Sequence, residues 1–262
     1  MQSQILWNEP LGAGYYRLGL RCQGDLSSAR PGQFIMLQVA EGKDPLLKRP
    51  FSIHRLSQSY RPAEMEILYK TVGRGTHLMR RLAPGMGTEI LAPLGRGFKV
   101  PLGLKRIYIA AGGIGVAPMG FLVDSLISRG YSPRQLHIFL GARSREDLIG
   151  AEDFRRQGLR VHLTTDDGSA GDQCLITDPL AGAVRSERPD LLLACGPNPM
   201  LACILGIAET HQLSCQVSVE AHMACGVGAC LGCAIPSRGL DRAYLHVCLN
   251  GPVFPAEQIK IP

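Results

Sequence analysis

Through the first hundred residues, hydrophobic and polar positions alternate in short runs such as "QFIMLQV" and "EMEILYKTV". Turn formers separate these runs about every eight to twelve residues, in "PLGAG", "RPGQ", "EGKDP", "APGMG" and "APLGRG". That rhythm predicts an antiparallel β barrel or sandwich over residues 1–100. From Arg106 the pattern changes to buried-length apolar runs that each end in a glycine or polar turn: "RIYIAAGGIGVAPMGFLVDSLISRG", "LHIFLGARS", "LRVHLTTDDGS" and "PDLLLACGPNPM". Helical stretches lie between some of them, which predicts a doubly wound parallel sheet over residues 101–213. Beyond Ser214 the periodicity fades. Residues 214–262 read as a small appendage ordered by a metal site rather than by a core of its own. The chain shows no internal repeat and no low-complexity segment.

Composition supports this picture. With 262 residues and 45% hydrophobic content, the chain is long enough for more than one buried core. The longest apolar stretches are broken by Gly and Pro before they reach the roughly 20 residues of a membrane helix, so no span is expected. A formal charge of +6 is spread along the chain without a basic block, which favours anionic cofactors or an acidic partner over nucleic acid. The opening "MQSQILWNEP" lacks a basic segment followed by an apolar one, so the expected setting is a reducing cytoplasm.

The strand-to-helix turn "IYIAAGGIGVAP" carries Gly112, Gly113 and Gly115 and then Pro118 where a helix is expected to begin. Glycines there let the backbone approach a pyrophosphate, and a helix N-terminus offers unpaired N–H groups. Proline replaces the third glycine of the usual dinucleotide fingerprint. The turns "GARSRED", "TTDDGSAG" and "CGPNPM" converge on the same sheet edge, which brings Cys195 and Gly196 to the expected ligand crevice. Arg143 and Arg145 suit a 2′-phosphate, whereas Asp166 or Asp167 suits ribose hydroxyls. Charge alone leaves NAD and NADP both open.

Nine cysteines are present. Cys22, Cys174, Cys203 and Cys215 sit in apolar surroundings and read as buried small side chains; Cys195 is divided between that reading and a substrate-facing one. Cys225, Cys230, Cys233 and Cys248 crowd into "MACGVGACLGCAIPSRGLDRAYLHVC". Disulfides, a zinc site and an iron–sulfur cluster all explain such a group. A reducing compartment disfavours the first. The C-x4-C-x2-C spacing with a distant fourth cysteine is similar to the plant-type [2Fe–2S] pattern, whereas closed zinc sites usually use paired short spacings.

In the N-terminal half, "KRPFSI" and "ILYKTVGRGT" precede the glycine turn and "CGPNPM". In that order the motifs resemble the ferredoxin reductase superfamily, and with the cysteine run they resemble the electron-transfer subunits of type B, NAD-linked dihydroorotate dehydrogenases. The resemblance implies a flavin-binding barrel, an NAD-binding α/β domain and a [2Fe–2S] module. It also implies FAD on Arg49, Pro50, Phe51 and Ser52, with Arg49 at the diphosphate and Ser52 at the reactive edge. Leu68, Tyr69 and Lys70 would line the flavin, and Gly75 and Thr76 would hold the diphosphate. A guanidinium fork and glycine N–H groups suit phosphate oxygens. Phe51 departs from the superfamily's more familiar tyrosine and lacks its hydroxyl.

The same resemblance implies electron transfer to NAD+ from an FMN-containing dihydroorotate dehydrogenase catalytic subunit, in a heterotetramer of pyrimidine biosynthesis. Cysteines 225, 230, 233 and 248 would hold the cluster, and Cys195 would lie beside the nicotinamide. Glu220, just ahead of the cluster motif, is a candidate to face flavin and nicotinamide, although the ordinary rarity of catalytic roles favours a structural carboxylate. A flavin/iron–sulfur subunit linking hydrogenase or ferredoxin to NAD(P)H shares the motifs. A noncatalytic nucleotide- and zinc-binding module is the rival of another class.

Overall fold

The computed structural model describes all residues except 41, 43, 58–61, 240–242 and 262. Six strands close the barrel: β1 (Gln2–Gly12), β2 (Tyr15–Cys22), β3 (Phe34–Leu37), β4 (Arg49–Ser57), β5 (Ala63–Lys70) and β6 (Gly87–Leu94). Their order is β1-β2-β5-β4-β3-β6, with antiparallel neighbours throughout. Alternation puts Ile5, Leu18, Leu20, Ile35, Ile53 and Ile67 inside, each at most 1% exposed. Full burial of such a side chain contributes about 1.5–3 kcal/mol. The short helix α1 (Arg74–Met79) follows β5.

The second unit contains β7 (Ile107–Gly112), α2 (Met119–Ser128), β8 (Leu136–Ala142), α3 (Ala151–Arg156), β9 (Arg160–Thr165), α4 (Thr177–Ser186), β10 (Leu191–Cys195), α5 (Asn198–Thr210) and β11 (Cys215–Ser218). The last segment adds β12 (Ala234–Pro236), β13 (Tyr244–His246), α6 (Val247–Asn250) and β14 (Val253–Pro255). The sheet order is β14-β11-β10-β7-β8-β9, parallel except for β14. The chain reverses direction across the sheet between β7 and β10, opening a crevice at their C-terminal ends.

Residues from 214 onward are not a freestanding appendage. β11 and β14 complete the sheet, and Cys233 and Cys248 share a core with Phe34 and Met36 of the barrel and Leu192 and Val217 of the sheet. Among the described residues, β12 and β13 form a separate two-stranded sheet. The glycine turn also differs in detail from expectation. A 3-10 turn at Gly113–Val116 intervenes, and Pro118 caps α2 instead of beginning it.

Barrel and sheet meet where β4 packs on α2. The buried His54 ring donates from Nδ1 to the Ala117 carbonyl at 2.7 Å, and Arg55 pairs with Asp124 at 2.6 Å. No room remains for a side chain at Gly120, because a Cβ there would stand 2.7 Å from the His54 carbonyl oxygen.

Candidate functional site

Two cavities meet in the cleft between barrel and sheet. The larger, about 530 Å³, is lined by every residue expected at the flavin in the barrel half: Arg49, Pro50, Phe51, Ser52, Leu68, Tyr69, Lys70, Gly75 and Thr76. Register explains the first group, since β4 pairs with β3 so that Arg49 lies opposite Leu37 and Ser52 opposite Phe34. Arg49 Nη1 donates to the Leu47 carbonyl at 2.7 Å, and a Cβ on Gly75 would stand 3.2 Å from Arg49 Nε. Guanidinium and bare glycine backbone therefore form one cradle, whose donors fit a diphosphate. The Thr76 hydroxyl is engaged in its own turn, accepting from the Val72 and Gly73 N–H groups at 2.9 and 3.1 Å. Phe51 meets Tyr69 edge to face, and the Tyr69 hydroxyl donates to Asn8 Oδ1 at 3.1 Å.

The smaller cavity, about 440 Å³, is lined by Gly112, Gly113, Gly115 and Gly196. A Cβ at Gly115 would fall 2.3 Å from the Cys195 carbonyl oxygen. Only glycine lets this turn lie against the end of β10. Of the four charged residues left open for the ribose, Arg143 and Asp166 line the cavity. Arg145 donates to the Ser169 carbonyl at 2.7 Å, and Asp167 accepts from the Ser169 N–H and hydroxyl at 2.9 and 2.6 Å.

Cys195 is 3% exposed and lines the larger cavity. Burial pushes its thiol up to about 12, with the Glu220 charge adding to the effect. It stays a neutral thiol at ordinary pH and is no nucleophile. Glu220 lines both cavities. Its side chain keeps exposed surface, yet the protein crowded around the carboxyl desolvates it and raises its pKa.

Two residues escaped the sequence reading. Lys70 Nζ reaches across the interface to Asp147 Oδ1 at 2.7 Å and also donates to the Tyr15 hydroxyl at 3.2 Å. Tyr15 lies opposite Lys70 in the β2–β5 ladder, a register that neither strand states alone. Asp147 stood in the quoted "GARSRED" without an assigned role. One expectation for the scattered cysteines also fails. Cys22, Cys195 and Cys215 are buried, but Cys174 is half-buried and Cys203 is exposed, because Cys203 lies on the side of α5 that lines the smaller cavity.

The wall of the larger cavity continues through Val219, Ala221, His222 and Met223 toward the cysteine segment. There Cys233 Sγ stands 3.2 Å from Cys248 Sγ, and the N–H groups of Gly228 and Cys248 point at these sulfurs at 3.2 and 3.4 Å. The Cys225 sulfur accepts from Val227 and Cys230 N–H at 3.5 and 3.4 Å, which pulls its thiol down to about 6. Burial first, and then the neighbouring Cys233, push Cys248 up to about 12. Among the described residues, no three His, Cys, Asp or Glu side chains converge on one metal-sized point. Cys233 and Cys248 instead bring their sulfurs together, and Cys230 contacts Cys225 through its N–H and side chain, a two-and-two grouping that suits a binuclear centre. Two thiolates on one tetrahedral metal stand about 3.8 Å apart, so the Cys233–Cys248 pair must open by about half an ångström. The donor set fits.

A closed barrel, a doubly wound sheet, paired cavities and a four-thiol segment define an oxidoreductase of ferredoxin reductase build. The protein from the structure of an NADH-dependent reduced ferredoxin-NADP oxidoreductase has the same fold, with a TM-score of 0.85 at 23% identity over 99% of this chain and 90% of that one. The ferredoxin NADP+ reductase from Neisseria gonorrhoeae also matches in fold, with a TM-score of 0.65 at 16% identity over 80% of this chain and 91% of that one. Residues 109–205 match the oxidoreductase NAD-binding domain, and residues 220–260 match the iron–sulfur cluster binding domain of dihydroorotate dehydrogenase B. Named relatives include the dihydroorotate dehydrogenase B (NAD(+)) electron transfer subunits of Desulforamulus reducens and Caldanaerobacter subterraneus subsp. tengcongensis. The first is 36% identical over 88% of this chain and 87% of the relative, the second 35% identical over 99% and 98%. The chain belongs to this family of electron transfer subunits. No helix among the described residues is long and apolar enough to cross a membrane.

Proposed function

We propose that the chain carries electrons from a dihydroorotate-oxidising, FMN-containing partner subunit to NAD+, using a [2Fe–2S] centre and FAD. The observation that carries this reading is continuity. Lys70, Ile114 and Glu220 belong to the walls of both cavities, and the wall at 219–223 ends two residues before Cys225. Nicotinamides exchange hydrides and clusters single electrons, and FAD, when bound, supplies the conversion between them.

In this reading residues 1–100 hold FAD, 101–213 hold NAD and 214–262 hold the cluster, with β11 and β14 contributed to the sheet. Arg49 and Gly75 grip the flavin diphosphate, and Thr76 fixes the turn beside them. Pro50, Phe51, Leu68, Tyr69 and Lys70 form the flavin wall, with Ser52 at the reactive edge. Gly112, Gly113, Gly115 and Gly196 admit the dinucleotide. Cys195 presents a neutral, buried surface to the nicotinamide, and Glu220 borders both rings. Asp166 accepts from ribose hydroxyls, and although Arg143 lines the same cavity, the NAD(+) named for the relatives favours NAD over NADP.

Cys225, Cys230, Cys233 and Cys248 ligate the cluster. Exposed Cys230 is flanked by Val227, Leu231 and Leu249, each more than half exposed. That apolar surface is where the partner docks, within a heterotetramer. A reducing cytoplasm suits a chain whose nine cysteines are all unpaired.

Anaerobic titration of the cofactor-loaded chain with NADH, and separately with NADPH, tests the reading. NADH is expected to bleach the flavin and then the cluster absorbance, with NADPH much slower. No bleaching by either nucleotide overturns it.

A further inference from the structure

Lys70 ends β5 in the barrel, and Asp147 ends the Arg145–Asp147 turn that follows β8 in the sheet. Their 2.7 Å ion pair joins the two units where the cavities meet, because Lys70 lines both cavities and Asp147 lines the smaller one. The ammonium also lies 4.4 Å from the Tyr15 ring centroid, while the Ser144 hydroxyl donates to Asp147 Oδ2 at 3.4 Å. A Cβ at Gly113 would stand 3.9 Å from the Tyr15 hydroxyl, so the group borders the glycine turn. With side chains 33% and 16% exposed, the pair is shielded beyond an ordinary surface salt bridge.

A second set of ion pairs crosses the same interface, from Arg55 to Asp124 at 2.6 Å and to Asp153 at 3.8 Å. These residues line neither of the two cavities. Together with the buried His54 contact, they hold barrel and sheet together independently of Asp147. The Lys70–Asp147 pair thus has a narrower task, setting the two cavity walls against each other. The Asp147 carboxylate does not itself favour binding, because beside the glycine turn it offsets the Lys70 ammonium that would attract the diphosphate.

We propose that Asp147 is a positioning residue for hydride transfer, acting through Lys70 to latch the flavin-side wall to the nucleotide-side wall. The inference rests on the flavin and nucleotide assignments above. Removing the carboxylate must then lower the rate without weakening affinity, a pattern that simple loss of structure does not produce.

The test is anaerobic stopped-flow reduction of the full, cofactor-loaded chain by NADH, comparing parent, Asp147→Asn and Asp147→Glu. Asp147→Asn is expected to lower the limiting rate of flavin bleaching about tenfold, as misalignment of reacting atoms does. Its NADH dissociation constant stays level or falls, and its FAD content, cluster absorbance and reduction by dithionite match the parent. Asp147→Glu restores most of the rate. An unchanged limiting rate overturns the inference, as does a loss explained by weaker NADH binding or by lost FAD. If NADH fails to bleach even the parent, the functional reading itself falls and takes the latch with it.

Discussion

Arg49 and Cys230 each stand at a cofactor site, but the backbone beneath them differs. Arg49 begins a nine-residue strand paired with both β3 and β5, and its position is fixed by the barrel's own ladder. Cys230 lies in a loop where Gly226, Gly228 and Leu231 all have positive φ, at 72°, 80° and 59°. For leucine that conformation costs about 1–2 kcal/mol. N–H groups in this loop point at cysteine sulfurs. The barrel wall of the cleft thus rests on strand pairing, whereas the loop at 224–232 is shaped around the sulfurs and depends on ligation to hold it.

The largest effect should come from breaking the dependent region. Cys233→Ala removes a buried sulfur 3.2 Å from that of Cys248 and leaves its pair with one ligand. Cluster absorbance should vanish, and the loop from 224 to 232 should become the first site of protease cleavage. NADH should still bleach the flavin, because the cleft does not draw its shape from the cluster. Retention of full cluster absorbance would remove Cys233 from the ligand set.

A smaller effect is expected in the preformed region. Arg49→Ala deletes the guanidinium beside Gly75 while its strand keeps both neighbours. Loss of charge-assisted hydrogen bonds to a diphosphate costs about 2–3 kcal/mol, or a 30- to 150-fold weaker hold on FAD. Equilibrium dialysis of FAD measures this, and the cluster spectrum serves as the internal control. A parallel loss of cluster absorbance would mean that the two regions do not order independently.

The contrast also explains what could be read from the sequence. Strand alternation and glycine turns are local signals, so "QFIMLQV" and "EMEILYKTV" predicted the barrel and "IYIAAGGIGVAP" a strand-to-helix turn, whereas the flavin wall in "KRPFSI" and "ILYKTVGRGT" was implied only by the family resemblance. The cysteine spacing is likewise local. Long-range partnerships leave no such trace: Lys70 meets Asp147 across 77 residues, and β14 joins the sheet through only three residues, Val253–Pro255. Those three residues are too few for a periodic pattern, so the edge of the sheet was hidden inside a stretch that read as metal-ordered. Charge alone could not choose among Arg143, Arg145, Asp166 and Asp167, and the set narrows to Arg143 and Asp166 only because Ser169 occupies the other two.

The smallest effect concerns pH and sharpens the comparison within the preformed region. His54 is buried at the barrel–sheet interface with a pKa lowered from 6.5 to about 4, chiefly by desolvation and against the Ala117 hydrogen bond that would raise it. The folded value lies below the unfolded one, so protons bind the unfolded chain more readily. Its stability contribution is complete above pH 6.5 and drains away as pH falls from 6.5 toward 4. Between pH 8 and pH 5 this single ring should cost about 2 kcal/mol of folding stability. Urea unfolding at the two pH values, followed by tryptophan fluorescence from Trp7 in the barrel, measures the loss. In His54→Gln, whose amide does not titrate, the difference between the two pH values should shrink by about that amount. An unchanged difference would mean that the interface does not hold His54 neutral.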